Sequence, residues 1–88
     1  MTEEEIDEMA LQNFTQAMRE KLKHARENGR QGWHASNVCN LEELARMFYE
    51  HVEKGDLVDI ANFAMFLHQR EGRPPNWRIT HPDTWEKP

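Results

Sequence analysis

The chain is poor in most features that announce a chemistry. It has one cysteine, Cys39, so no internal disulfide can staple it, and a lone thiol fits a reducing cytoplasm. No apolar run approaches the roughly 20 residues that span a bilayer. The opening "MTEEEIDEM" is acidic where a signal peptide carries basic residues. Cations are also in short supply. Lys and Arg number 11 against 16 Asp and Glu, a formal charge of −5. This argues against a general binder of phosphate backbones, which needs a basic face. There is no convincing strand, and no glycine-rich phosphate loop following one. The histidines at 24, 34, 51, 68 and 81 form no HxxxH pair, and one cysteine leaves no zinc-finger spacing. Nothing in the sequence sets a base beside Cys39, as a thiol nucleophile requires. There is no internal repeat or low-complexity tract, and 88 residues make one domain at most.

What is present is helical periodicity. Ile6, Ala10, Phe14, Ala17, Met18, Leu22 and Ala25 recur at steps of three and four, which predicts a helix over about 3–27 with these side chains on one face. Thr2 and Glu5 have capping-box spacing, and Asn28-Gly29 supplies a left-handed stop. Residues 29–39 lack either period and read as a loop, with Trp33 its anchor in the core. A second helix is expected over about 41–53. Asn40 and Glu43 repeat the capping pattern; Leu41, Leu44, Ala45, Phe48 and Val52 form the stripe; Lys54-Gly55 ends it. A third helix is expected over about 57–71, with Leu57, Ile60, Ala61, Ala64 and Leu67 on one face. Val58, Phe63, Met65 and Phe66 make it apolar nearly all round, so two neighbouring helices leave part of it bare and a second copy or a partner is the natural cover. Four prolines in the sixteen residues after Gly72 exclude a helix there, which divides the chain into a helical domain, 1–72, and an extended tail, 73–88, carrying Trp77 and Trp85. The fold class is all-α, a three-helix bundle with a Pro- and Trp-containing tail.

The polar positions of the third helix are few. Asp56, Asp59 and Asn62 follow one another at steps of three near its start, and two close carboxylates suit a hard cation such as Mg²⁺. Capping explains Asp56 equally well, since it follows Gly55 at the positive end of the helix dipole. Asp59 and Asn62 have apolar neighbours, so they are expected to be structural polar groups that must find hydrogen bonds. Without an interleaved basic run, the three tryptophans belong to packing or to an interface rather than to base stacking.

The stretches "MREKLKHARENGRQGW" and "LEELARMFYEHVEKGDLVDIANFAMFL", residues 18–67, resemble the small MazG-like proteins of phages and prophages, within the all-α nucleoside triphosphate pyrophosphohydrolases. Such proteins hold Mg²⁺ with Glu-Glu-x-x-Glu on one helix and Glu-x-x-Asp on the next. On "EHVEK", Glu50 matches the first glutamate, while His51 and Lys54 stand where carboxylates belong. Asp56 replaces a glutamate, Asp59 matches, and only Gly55 remains of the connector. A lysine in place of a carboxylate brings repulsion, and a histidine removes a hard oxygen ligand. The resemblance therefore implies the scaffold without the hydrolysis.

We expect a phage-type accessory protein of the host cytoplasm, a homodimer, that acts by binding a host protein in a counter-defence or regulatory role. "Host" and "phage" come from the resemblance alone. Its contact residues are expected to be Phe63, Phe66, Trp77 and Trp85, with no catalytic residue, metal or cofactor. The alternative is a divergent Mg²⁺-dependent nucleotide pyrophosphohydrolase using Glu50, Glu53, Asp56 and Asp59, with the metal on Glu50, Asp56 and Asp59. A nucleic-acid binder or mimic is third, kept open by the acidic first helix.

Overall fold

The computed structural model describes residues 1–70. They form three helices, α1 (Glu3–Glu27), α2 (Leu41–Lys54) and α3 (Leu57–Arg70), an all-α bundle as expected. The tail with Trp77 and Trp85, and the expected last residue of the third helix, Glu71, lie outside the described residues.

Local chemistry sets each boundary. The Thr2 side chain accepts from the Glu5 amide at 3.1 Å, and the Glu5 carboxylate accepts from the Thr2 amide at 2.9 Å, a complete capping box. Gly29 follows the end of α1 with φ 75°. Asn40 accepts from the Glu43 amide at 2.8 Å, but the box is not closed, because the Glu43 carboxylate turns to Arg46 instead. Gly55, at φ 81°, stops α2 in the left-handed conformation.

The three helices are not equivalent. α1 and α2 each pack on α3 and not on each other, so α3 is the floor of the molecule. Leu44 and Ala45 of α2 meet Phe66 and Leu67 of α3 in a small core, with Leu22, Trp33, Phe48 and Phe63 packed around it. Trp33 does anchor the loop: its ring stacks on Phe66 with centroids 4.6 Å apart. Arg70 ties the same loop down, donating from Nη1 to the carbonyls of Trp33 at 3.0 Å and Cys39 at 2.7 Å.

The buried face of α3 matches the expected one in part. Leu67 is buried and Ile60 and Ala61 are partly buried as expected, but Leu57 is 71% exposed and Ala64 is exposed, while Asn62 and Phe66, off that face, are buried. The reason is the direction from which the neighbours approach: α2 and the Trp33 loop cover the Phe63–Phe66 side, and nothing among the described residues covers Leu57. The stripe of α1 is also only half used. Ala17, Met18, Leu22 and Ala25 are partly buried, but Ile6 is 47% and Phe14 41% exposed. Length accounts for this. At 1.5 Å per residue a 25-residue helix reaches about 37 Å and a 14-residue helix about 21 Å, so about 16 Å of α1 outreaches the described helix it packs on. Val52 of α2, expected in the stripe, is likewise exposed.

Candidate functional site

Because α1 and α2 diverge over α3, a groove of about 620 Å³ opens between them. Its apolar walls come from Leu22 of α1, Leu44 and Met47 of α2, Phe63 and Phe66 of α3, and Trp33 of the loop. Its lip carries Lys21, Arg26 and Arg30 with His24 and His34, against one carboxylate among the described residues, Asp59. A concave apolar surface with a few polar groups is the usual form of a binding site.

Two polar atoms in the groove wall have no hydrogen-bond partner among the described residues. Asn62 is only 4% exposed; its Nδ2 donates to the Met18 carbonyl at 3.3 Å, joining α3 to α1, but its Oδ1 finds no donor. The second is Nδ1 of His51, which stacks on Phe63 and lies 3.8 Å from Asp59 Oδ2, beyond hydrogen-bond reach.

The carboxylate edge is occupied by the protein's own cations. Lys21 of α1 lies 3.1 Å from Asp56 Oδ2 and 3.4 Å from Asp59 Oδ1. Asp56 also caps α3, accepting from the amides of Val58 at 3.0 Å and Asp59 at 3.1 Å. The Asp59 amide, then the Lys21 ammonium, hold the Asp56 carboxyl below its ordinary range. The Asp56 carboxylate in turn raises the Lys21 ammonium above its own. Glu50 lies across from Arg46, which also takes Glu43. Glu53 is exposed near the end of α2. Asp56 and Asp59 are thus brought together, through Lys21, while Glu50 and Glu53 are not joined to them. Among the described residues no group of three or more His, Cys, Asp or Glu could hold a metal ion. No helix among them is long and apolar enough to cross a membrane.

Of the aromatic contact residues expected on α3, Phe66 is buried in the core and Phe63 lines the groove partly covered, so neither forms a free outer face. The physical cause is Trp33, whose loop folds back over them. Large exposed apolar residues among the described ones include Ile6, Met9, Leu11 and Phe14 of α1, Val52 of α2 and Leu57 of α3. The sequence also hid Lys21 and Arg70. Each acts across more than 30 residues of chain, and only the basic run "REKLKHAR" hinted that cations gather at that end of α1. No family model, curated protein or solved structure matches the chain.

Proposed function

We propose that this protein works by binding rather than by catalysis, as a small phage-type accessory protein of the cytoplasm that engages a host protein. The observation that supports this reading best is the state of the carboxylates. A Mg²⁺ site needs several oxygens converging on one point. Here Lys21 already sits between Asp56 and Asp59, and Arg46 holds Glu50. A metal would have to displace two cations and gather acids from two separate clusters. The MazG-like kinship belongs to the same proposal, as a scaffold kept for its shape. The net charge of −5 suits a partner with a basic surface, which acidic groups would steer and orient.

The test is direct. The purified protein is incubated with the common deoxynucleoside triphosphates and Mg²⁺, and monophosphate and pyrophosphate are measured. No turnover above the buffer rate is expected. Turnover abolished by Asp59→Ala, with the circular dichroism unchanged, would establish hydrolysis and remove this proposal. The positive arm is capture from a bacterial lysate followed by rebinding of the purified host protein, expected to be stoichiometric and weakened by salt.

A further inference from the structure

Among the described residues, two surfaces lack cover, and their chemistries match. The first is the overhanging half of α1, residues 3–14. It presents Ile6, Met9 and Phe14, at 47%, 52% and 41% exposure, along one side. Five carboxylates, Glu3, Glu4, Glu5, Asp7 and Glu8, crowd its first two turns without a single cation. The second surface is the groove, with an apolar wall of Leu22, Trp33, Phe63 and Phe66 and a lip that carries Arg26 and Arg30 beside Lys21, which is itself paired with Asp56 and Asp59. Arg26 and Arg30 have no carboxylate partner among the described residues. An acidic amphipathic helix is the complement of an apolar groove with a basic lip.

The helix that carries the first surface cannot reach the second within one chain. α1 is continuous from Glu3 to Glu27, and its own last turns, Lys21 to Arg26, form one wall of the groove. Its first half therefore points away from the groove that its second half builds. In a second copy the restriction disappears. Two α1 helices laid antiparallel put residues 3–14 of each beside residues 17–27 of the other, and both contacts form at once about a two-fold axis. The apolar stripe of α1 is then covered along its length, by α3 of its own chain in one half and by the neighbouring copy's groove in the other.

We propose that this protein is an antiparallel homodimer in which the N-terminal half of α1 of each copy docks in the groove of its partner. Apolar burial supplies the affinity, and the carboxylates of the first two turns set the direction against the basic lip. This goes beyond the proposed binding function and does not depend on it.

The full chain is examined by light scattering over a range of concentrations, and an equal mixture of ¹⁴N- and ¹⁵N-labelled chains is cross-linked. A mass twice that of the 10.5 kDa chain is expected, with mixed-isotope cross-links joining residues 3–14 to residues 21–34. Phe14→Glu and the double variant Arg26→Glu/Arg30→Glu touch exposed positions, so the helical circular dichroism should hold while the dimer dissociation constant rises at least about tenfold. Adding Glu4→Lys and Glu8→Lys to the double variant should restore association. A monomer at every concentration overturns the proposal. So does a dimer whose cross-links avoid the groove, or a groove cross-linked to residues 71–88 of the same chain. A double variant that the compensating lysines fail to rescue removes the charge-directed docking as well.

Discussion

At the scale of single residues, Arg70 and Lys21 matter most, because each bridges segments distant in sequence. Arg70 satisfies two loop carbonyls, and hydrogen bonds from a charged donor are worth about 1.5–3 kcal/mol. Arg70→Met keeps much of the stem's packing and removes the donor. It is expected to destabilise the fold by about 2 kcal/mol, read as a lower urea midpoint, with Trp33 more accessible to a fluorescence quencher. An unchanged midpoint would mean that the loop is held by the Trp33–Phe66 stack alone. Asn62 shows how far a polar residue in an apolar run is legible. Its neighbours dictate that it must be hydrogen-bonded, but the partner, Met18 O, lies 44 residues away, on a helix whose packing no local pattern specifies.

At the scale of elements, the turns are the most local features and are the most legible in the sequence, apart from the Asn40–Glu43 box, which Arg46 leaves half-formed. Thr2–Glu5, Asn40 and Gly55 act through neighbours within four residues, so composition and spacing were enough. Two glycines now separate two physical causes. Gly55 has φ 81° and a Cβ there would meet nothing within 4 Å. Gly55→Ala should thus cost only the left-handed backbone penalty, about 1–2 kcal/mol, and Gly55→Asn less. Gly32 has φ 94°, and its Cβ would come within 2.6 Å of Val38 Cγ1. Gly32→Ala adds a clash to the strain and is expected to lower the urea midpoint more than Gly55→Ala. Equal losses would show that Val38 moves aside freely. The faces of the helices were less legible than their ends. Periodicity grouped Ile6 and Phe14 with Leu22 on one side of α1, which is sound geometry, but it carries no information on how much of that side a shorter neighbour can cover.

At the scale of the whole molecule, little apolar surface is fully buried: Leu44, Ala45, Phe66 and Leu67 among the described residues. So small a core leaves a thin margin, and surface terms then count. Three carboxyls lie below their ordinary values of 4.5, 4.5 and 3.8: Glu5 through the Thr2 amide, Glu43 through Arg46, and Asp56 through the Asp59 amide and Lys21. A carboxyl depressed by folding adds stability above its unfolded pKa and loses it as pH falls through the folded value. The melting temperature is therefore expected to decline as pH drops from about 5. Asp56→Asn should lie below the parent protein at neutral pH and decline less steeply in acid. Parallel curves for the two would show that the Asp56 contacts add nothing to stability.

By itself the sequence determined three helices, where each begins and where the first two end. These properties depend on contacts a few residues apart or on composition. Only the tertiary structure decided that α1 and α2 both pack on α3, that Lys21 stands between Asp56 and Asp59, and that Ile6, Met9, Leu11 and Phe14 of α1 are left exposed among the described residues, as is Leu57 of α3. Burial depends on where helices of unequal length cross, and a one-dimensional pattern does not record a crossing point.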